Sequence, residues 1–372
     1  MIVAVPREAA VKERRVALVP ETVSQFVKSG AGVCVQRGAG EAASFPDELY
    51  EAAGATFASD AAALARAADV LVGVGRPAED ALAALRPESV VVGFLNPLGD
   101  RAYIERLAGA RLTGLAMEMI PRITRAQSMD ALSSQSNIAG YKAVLLAAAA
   151  LPKFFPMLTT AAGTIRPAKV LVLGAGVAGL QAIATARRLG AVVSGYDVRA
   201  VVKEQVQSLG ASFLEFDLGA DAEAAGGYAK ELTPEQQERQ RAWMVEQIGA
   251  NDVVITTALV PGRKAPILIS EAAVAAMKPG SVVVDLAAEA GGNCAITVAD
   301  ETVTSANGVT VIGTTNLPAT MPADASRLYS RNVYALLSPW IKDGTLNIDP
   351  NDDVAKGAVV ARDGNVLVRG GS

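Results

Sequence analysis

The chain has 372 residues, of which 51% are hydrophobic and 5% aromatic, and its formal net charge is −4. This length predicts two or three domains of roughly 150 residues each, and a core of Ala, Val, Leu and Ile suits a buried parallel sheet between helices. The charge and the lack of basic blocks argue against nucleic acid as a partner, and the apolar runs are too short for a membrane span or a signal peptide. We therefore expect a protein that is soluble and not secreted.

The chain has no histidine and two cysteines, Cys34 and Cys294. Histidine is the commonest general acid–base and a frequent metal ligand, so any chemistry here proceeds without an imidazole. Two cysteines this far apart in sequence indicate neither a disulfide framework nor a metal site. We therefore predict that the chain holds no metal.

The first 120 residues alternate apolar runs of strand character with helical stretches. Segment 20–30 predicts a helix, because Pro20 stands near its start and Gly30 follows its end, and segment 60–68 predicts another. Such alternation is typical of a parallel sheet. The predicted strands are 1–6, 32–38, 69–75, 89–95 and 111–117.

The stretch 122–137, RITRAQSMDALSSQSN, concentrates polar side chains and runs directly into an apolar helical pattern. Two interpretations are open: a solvated loop, or a cradle of hydrogen-bonding groups for a polar ligand. The helical pattern covers 134–155 and ends before Pro156, so we predict that this helix connects two domains.

A second alternating series follows, with strand-like runs at 168–174, 191–198, 212–218, 252–259, 281–287 and 309–316. Six such runs separated by helices predict a full doubly wound sheet. The insertion 219–240 is longer than the usual connection, which favours a mobile functional loop leading into a helix.

The C-terminal segment contains an amphipathic helix at 323–341 and a hairpin at 357–371 that turns at Asp363-Gly364. We predict that this segment closes back on the first domain, which is then discontinuous. The predicted fold is α/β with two Rossmann-like doubly wound domains, the second being the full dinucleotide-binding domain. Their limits are 1–133 plus 321–372 for the first and 134–320 for the second.

The segment 169–199 carries the strongest motif, with Gly174, Gly176 and Gly179 in G-x-G-x-x-G spacing after an apolar strand and at the start of a helix. The first glycine permits a tight turn, the second lets the backbone approach a pyrophosphate, and the third allows close helix–strand packing. Asp197 ends the next strand and is placed to bind the hydroxyls of the adenosine ribose. The motif therefore predicts a dinucleotide site; the alternative is a glycine-rich turn in an unrelated α/β protein.

The same aspartate indicates which dinucleotide is bound. A carboxylate at this position repels the 2′-phosphate of NADP, so Asp197 favours NAD(H). Arg199 lies two residues further and weakens the argument, because it is either a phosphate partner or part of a surface pair.

Several longer segments resemble the soluble NAD(H)-binding domain I, or alpha-1 subunit, of proton-translocating NAD(P) transhydrogenase, whose fold is shared with alanine dehydrogenase. The resemblance covers nearly the whole chain. The segments containing Gln-Ser-Met-Asp and Gly-Gly-Tyr-Ala-Lys are specific to the transhydrogenase branch. The matching segments are REAAVKERRVALVPETV, GAGEAASFPDELYEAAGA, RAQSMDALSSQSNIAGY, GAGVAGLQAIATARRLGA, AGGYAKE and VDLAAEAGGNC.

The resemblance implies roles for individual residues, grouped by the part of NAD(H) that they contact. Around the nicotinamide end it places Arg122, Gln127, Asp130 and Ser133, with Arg122 and Asp130 as a mutually oriented pair. Along the dinucleotide turn and the adenosine half it places Gly174, Gly176, Val177, Gly179, Asp197, Val198 and Arg199. A mobile loop that closes over the nucleotide contains Gly227 and Tyr228, and the crevice at the strand ends is flanked by Ala258 and Leu259.

Each of these roles has a plainer alternative. Ser133 is also suited to capping a helix, Asp130 to pairing in a salt bridge, and Tyr228 to being an ordinary loop aromatic.

The residues also bear on the reaction. Alanine dehydrogenases use a histidine and a lysine, and the resemblance places Asn96 and Arg76 at these positions and Glu289 where they have an aspartate. Neither Asn nor Arg is a useful base near neutral pH. Hydride transfer between two nicotinamides needs only positioning, not proton abstraction, although a lysine or a carboxylate remains available as a base.

The resemblance implies a Re/Si-specific, proton-translocating transhydrogenase that is active only with partner subunits: NADH + NADP⁺ ⇌ NAD⁺ + NADPH. NAD(H) binds this chain, and NADP(H) binds a partner domain. We further expect a homodimer, membrane subunits as partners, no membrane span in this chain, and a location at the cytoplasmic face of the inner (plasma) membrane. The alternatives are an amino-acid dehydrogenase of the alanine dehydrogenase type and a non-catalytic NAD-binding module.

Overall fold

A computed structural model describes residues 1–216, 233–259 and 262–368 of the chain. The chain divides into two compact units, the first made of 1–138 with 318–372 and the second of 139–317. Each unit is built around its own largely parallel sheet. The predicted fold class, two Rossmann-like units of which the first is discontinuous, is confirmed.

Nineteen strands and twelve α-helices lie within the described residues. The strands are β1 Ile2–Val5, β2 Gly32–Gln36, β3 Thr56–Ala58, β4 Val70–Val72, β5 Val90–Gly93, β6 Thr113–Ala116, β7 Leu158–Thr160, β8 Gly163–Ile165, β9 Lys169–Leu173, β10 Val192–Tyr196, β11 Ser212–Phe213, β12 Val253–Thr256, β13 Val282–Asp285, β14 Thr302–Thr304, β15 Thr310–Ile312, β16 Ile341–Lys342, β17 Thr345–Leu346, β18 Val359–Arg362 and β19 Asn365–Val366. The helices are α1 Pro20–Lys28, α2 Asp47–Ala52, α3 Ala61–Ala67, α4 Glu79–Ala84, α5 Arg101–Gly109, α6 Ala131–Ala150, α7 Val177–Arg188, α8 Lys203–Ser208, α9 Pro234–Gly249, α10 Glu271–Ala276, α11 Pro322–Leu337 and α12 Asp353–Ala358.

The first sheet has the order β19-β18-β6-β5-β4-β1-β2-β3, and β1 to β6 are all parallel. The central strands β4, β5 and β6 are buried along their whole length, as expected for a sheet covered on both faces, and β4 and β5 are Val-rich. The C-terminal strands β18 and β19 extend this sheet in antiparallel pairing. The hairpin predicted at Asp363-Gly364 is present, and both turn residues have positive φ.

Helix α11 ties the C-terminal segment into the first unit. The hydroxyls of Ser326 and Ser330 accept hydrogen bonds from the backbone N–H groups of Val16 and Val19. The buried Tyr329 hydroxyl donates to the carbonyl of Gly73, just beyond β4. These bonds satisfy buried polar groups where the helix packs against the segment before α1 and the end of β4.

The second sheet has the order β11-β10-β9-β12-β13-β15-β14. Apart from β14, which pairs antiparallel at the edge, this is the parallel order of a dinucleotide-binding fold. The chain crosses from the β9–β10 half to the β12–β13 half at the centre of the sheet. A ligand crevice is therefore expected between the carboxyl ends of β9 and β12.

Helix α6 begins at Ala131 and ends at Ala150, whereas the sequence pattern predicted 134–155. Pro152 accounts for the early end, because the residue before a proline is disfavoured in helical conformation. The hairpins β7–β8 and β16–β17 and the edge strand β14 were not predicted, since their strands have only two or three residues and do not lie in longer apolar runs.

Candidate functional site

The carboxyl edge of the second sheet holds the predicted glycine turn. Gly174 follows β9 with φ +98°, a conformation that favours glycine, and its N–H donates to the carbonyl of Tyr196 at 2.8 Å. The Thr257 hydroxyl donates to the Gly174 carbonyl at 3.1 Å. The turn is thus held from both neighbouring strands, β10 and β12.

Helix α7 starts at Val177, directly after this turn. A methyl group on Gly179 would overlap the carbonyl oxygen of Gly174, whereas one on Gly176 would meet no heavy atom within 4 Å. The first-turn N–H groups of a helix have no acceptor within the helix and carry a positive partial charge. The open space at Gly176 and the N-terminus of α7 therefore fit the pyrophosphate of a dinucleotide.

Asp197 lies directly after β10 and is bound to the glycine turn. Its Oδ2 accepts a hydrogen bond from the Ala175 N–H at 2.7 Å, and its Oδ1 accepts one from the Arg199 N–H at 2.9 Å. The Arg199 guanidinium contacts both oxygens, with Nη2 2.9 Å from Oδ2. Burial raises the pKa of Asp197, but the Arg199 side chain and these N–H groups outweigh it and hold the pKa below its ordinary value.

The segment after β12 lies at the same carboxyl edge of the sheet, next to the glycine turn. Ala258 is half-buried, and Leu259 is exposed. Val177 and Val198 are also exposed, Val198 to 86%. Exposed apolar side chains around such a glycine turn suit the rings of a dinucleotide.

The structure shows one network that the sequence analysis missed. The Asp285 carboxylate, fully buried at the end of β13, accepts five hydrogen bonds. The donors are the hydroxyls of Thr256 and Thr297 and the backbone N–H groups of Ala287, Asn293 and Cys294. The available signal was an aspartate ending an apolar strand in VDLAAEAGGNC.

The predicted nicotinamide residues lie in the first unit, where a 3-10 helix, Thr124–Met129, leads into α6. Arg122 and Gln127 are exposed, and Asp130 and Ser133 are half-buried. Asp130 accepts hydrogen bonds from the Ser133 N–H at 2.9 Å and the Ser133 hydroxyl at 2.6 Å. This is the helix-capping arrangement, with Asp130 as the cap.

The expected pair of Arg122 and Asp130 is not formed, since these two residues, both described, share no ion pair or hydrogen bond. Asp130 is instead directed at its own helix. Arg125, which was not singled out, is the paired arginine of this stretch and lies 2.6 Å from Asp352.

Several other polar groups of the stretch 122–137 form hydrogen bonds with other parts of the fold. The Ser134 hydroxyl and the carbonyl of Ser128 both bind the Asn332 side chain, at 2.7 and 2.8 Å. The buried Gln135 accepts from Arg15 Nη1 at 2.8 Å. Neither the solvated loop nor the ligand cradle describes the whole segment 122–137, because some of its polar groups bind other parts of the fold and others, such as Gln127, face solvent.

Arg76, Asn96 and Glu289, which stand where alanine dehydrogenases have catalytic residues, each have hydrogen-bond or ion-pair partners within the fold. Arg76 pairs with Asp100 at 2.7 Å, donates to the carbonyl of Leu95 and lies 4.3 Å from the ring centre of Tyr103. The Asn96 N–H donates to Glu118. In the second unit, Glu289 accepts from the Asn316 N–H at 3.0 Å. Neither Arg76 nor Asn96 offers a base for proton abstraction.

Glu8 is a half-buried carboxyl that accepts hydrogen bonds from the N–H groups of Val74 and Gly75, at 2.6 and 3.0 Å. Burial raises the pKa of Glu8 to about 7, although the two N–H groups lower it. Glu8 therefore fixes the loop after β4, which continues into Arg76.

This raised pKa predicts a pH-dependent stability. Between pH 4.5 and about 7 the folded chain keeps a proton on Glu8 that the unfolded chain has released. The free energy of unfolding should therefore fall as the pH rises through this window, by about 1 kcal/mol per pH unit. Urea unfolding at several pH values measures the slope, and Glu8→Gln should remove this part of it. Glu271→Gln, an exposed control, should leave the slope unchanged; an equal slope in Glu8→Gln would contradict the prediction.

Gly227 and Tyr228 lie outside the described residues, so their predicted loop role stays a prediction. The predicted helix after this loop is present as α9, beginning at Pro234. In the described ranges of the chain, no helix is long and apolar enough to cross a membrane.

Comparisons with known proteins agree on the family. The family models described as alanine dehydrogenase/PNT, N-terminal domain, and alanine dehydrogenase/PNT, C-terminal domain, match residues 4–139 and 143–369. The first portion of the NAD(P) transhydrogenase alpha subunit of Rhodospirillum rubrum is 48% identical over 376 residues, covering 99% of this chain and 98% of that protein. Alanine dehydrogenase of Mycobacterium tuberculosis is 31% identical over 302 residues, covering 78% of this chain and 74% of that protein.

Among solved structures, the transhydrogenase from Sinorhizobium meliloti is similar to this chain, with a TM-score of 0.86, 43% identity and 98% coverage of both chains. The identity with transhydrogenase relatives thus exceeds that with the alanine dehydrogenase, and it extends over nearly the whole chain. The resemblance seen in the sequence is confirmed: the chain belongs to the alanine dehydrogenase/PNT family and is a homologue of the NAD(P) transhydrogenase alpha subunits.

Proposed function

We propose that the chain binds NAD(H) and exchanges hydride with NADP(H) held on a partner polypeptide, as a component of a proton-translocating, Re/Si-specific transhydrogenase. The observation that carries the proposal is the Asp197 carboxylate, bound at 2.7 Å to the Ala175 N–H of the glycine turn. An acidic group there fits the ribose hydroxyls of NAD and repels a 2′-phosphate. NADH supplies the hydride, and the residues of this chain bind and orient the NADH.

The contacts of Arg76 favour hydride exchange between nucleotides over oxidation of an amino acid. Oxidising an amino acid needs a base for the substrate proton. Arg76 is held by Asp100 and the Leu95 carbonyl, and it is not a base near neutral pH. Exchange between two nicotinamides requires positioning alone.

We propose Arg122, Gln127, Asp130 and Ser133 as the groups that contact the nicotinamide end. Gln127 is exposed and has a donor and an acceptor available for the carboxamide or ribose. In this proposal, Ser133 presents its hydroxyl from the first turn of α6, held by Asp130 at 2.6 Å.

The proposal extends to assembly. The relative from Rhodospirillum rubrum is named as a portion of a subunit, which supports the existence of partner chains. We propose a homodimer that docks an NADP(H)-binding domain and membrane subunits at the cytoplasmic face of the inner (plasma) membrane. Proton movement belongs to the membrane subunits.

The test mixes the purified chain with the NADP(H)-binding domain of a transhydrogenase and follows NADH-dependent reduction of an NADP⁺ analogue. Turnover in the mixture, with none from either component alone, is expected. Alanine plus NAD⁺ is the control for the dehydrogenase alternative, which is tested because an alanine dehydrogenase is 31% identical to this chain. Activity of the chain alone with alanine would overturn the proposal, and NADH binding without turnover in the mixture would favour a non-catalytic module.

Asp197 provides a test of nucleotide choice. Asp197→Ser removes the carboxylate and releases the Arg199 guanidinium that it now holds. We expect NADH affinity to fall and NADPH affinity to rise, each by about tenfold, because a free arginine pairs well with a 2′-phosphate. Binding titrations with both nucleotides measure the change. Asp60→Ser, which removes an exposed carboxylate at a helix cap in the first unit, should alter neither affinity. Unchanged NADPH affinity in Asp197→Ser would contradict the role of Arg199.

A further inference from the structure

The segment after β12 lies on one side of the switch point of the second sheet. Asp197 and the β9–β10 half of this fold take the adenosine mononucleotide, so the β12–β13 half takes the nicotinamide mononucleotide. Ala258 is the second residue beyond β12, and its backbone borders the nicotinamide side. Accurate placement of this backbone therefore matters for one half of the ligand more than for the other.

The Asn293 side chain binds this backbone on both of its polar groups. Its Oδ1 accepts from the Ala258 N–H at 3.0 Å, and its Nδ2 donates to the Ala258 carbonyl at 2.9 Å. The same Nδ2 donates to the carbonyl of Pro266 at 2.8 Å. Asn293 is fully buried, so it acts on the ligand only through the backbone that it holds.

Only a carboxamide of this length satisfies the three bonds. Aspartate has no donor for the carbonyls of Ala258 and Pro266, and leucine has neither donor nor acceptor. The hydrogen-bond partners also assign the orientation of the amide, since one N–H requires the oxygen and two carbonyls require the nitrogen.

Asp285 fixes Asn293 in turn. Its Oδ2 accepts from the Asn293 N–H at 2.7 Å and from the Thr297 hydroxyl at 2.7 Å. The loop that carries Asn293 is thus anchored to the end of β13. A continuous set of hydrogen bonds runs from Asp285 through Asn293 to Ala258.

We propose that Asn293 is a positioning residue for the nicotinamide half of bound NAD(H), acting through the Ala258 backbone. The inference rests on the proposed NAD(H) binding. It predicts that loss of the Asn293 amide weakens NADH binding while leaving the adenosine half of the site intact.

The experiment compares NADH with AMP, which tests the adenosine half alone. Asn293→Ala should raise the Kd for NADH by about tenfold, the effect of losing one to two net hydrogen bonds. The Kd for AMP should stay within about twofold, since no bond of Asn293 reaches the Asp197 side. A merely structural role would weaken both ligands equally, and that result would overturn the inference, as would an unchanged Kd for NADH.

Asn307→Ala is the matched control. The Asn307 amide donates to the carbonyls of Val274 and Met277, at 3.0 and 3.1 Å, before the start of β15 at the opposite edge of the same sheet. Its loss should lower the Tm, as the loss of Asn293 should, with no change in the ratio of the two Kd values. A shifted ratio in this control would overturn the assignment to Asn293.

If Asn293→Ala does not fold, Thr297→Val tests the inference instead. This nearly isosteric change removes one support of Asp285 and keeps Asn293, so a rise in the NADH Kd of about threefold, with AMP unchanged, is expected. No selective rise would overturn the inference. Failure of the unsubstituted chain to bind NADH would instead contradict the proposed function, and the inference with it.

Discussion

Gly176→Ala should raise the Kd for NADH by about 100-fold while leaving the free energy of unfolding within about 0.5 kcal/mol of the unsubstituted chain. The added methyl group meets no heavy atom of the protein within 4 Å, and φ at Gly176 is −76°, which alanine adopts freely. The methyl group instead occupies the space into which the pyrophosphate must come. Calorimetric titration with NADH and urea unfolding measure the two quantities.

Gly179→Ala provides the contrast within the same motif. Its methyl group would overlap the carbonyl oxygen of Gly174, so the start of α7 must move away from β9. We expect NADH binding to be lost and the free energy of unfolding to fall by about 3 kcal/mol. Gly109→Ala, also without a heavy atom within 4 Å of the new methyl group, is the control. Because Gly109 is the last residue of α5, alanine there should raise the free energy of unfolding by less than about 1 kcal/mol and leave NADH binding unchanged. Intact NADH binding in Gly176→Ala would contradict the proposed pyrophosphate position.

Asp285→Asn is expected to lower the free energy of unfolding by about 3 kcal/mol, because a buried acceptor of five hydrogen bonds becomes half donor. Whichever way the new amide turns, its NH₂ group faces at least one backbone N–H donor. The threonine hydroxyls can turn and accept, but each position of the nitrogen also meets a backbone N–H, that of Ala287 at one oxygen and those of Asn293 and Cys294 at the other, and an N–H cannot accept.

Urea or thermal unfolding measures the Asp285→Asn effect. Asp324→Asn is the control, because Asp324 is an exposed carboxylate on α11 that pairs with Arg327 at 3.3 Å, and its loss should cost less than about 0.5 kcal/mol. Equal effects of the two substitutions would mean that the Asp285 network does not stabilise the second unit.

Local patterns account for what the sequence predicted of the fold. Runs such as 281–287 and 89–95 contain consecutive Val residues, which are typical of strands buried on both faces, and β13 and β5 lie there. The helix at Pro20 begins where its proline predicts. Strand β14 was not predicted, because its sequence, TVT, forms no apolar run, whereas the equally short β4 reads VLV.

The glycine turn and Asp197 were predictable as neighbours for a related reason. Both follow adjacent parallel strands, and the carboxyl ends of such strands meet at one edge of the sheet. Gly174 and Asp197 accordingly lie together, joined through the Ala175 N–H. Their contacts with a nucleotide, like those of Gln127, stay predictions that the titrations above test.

By itself the sequence determined the fold class, the family and the position of the glycine turn, because each depends on residues close together in the chain. Only the tertiary structure decided that Asn293 holds Ala258, 35 positions away, and that Glu8 fixes the loop at Val74 and Gly75. It also decided that Arg125 pairs with Asp352, 227 positions away. The physical reason is that a side chain's partner depends on which loops the fold brings within hydrogen-bonding distance, about 3 Å, and no local pattern records that.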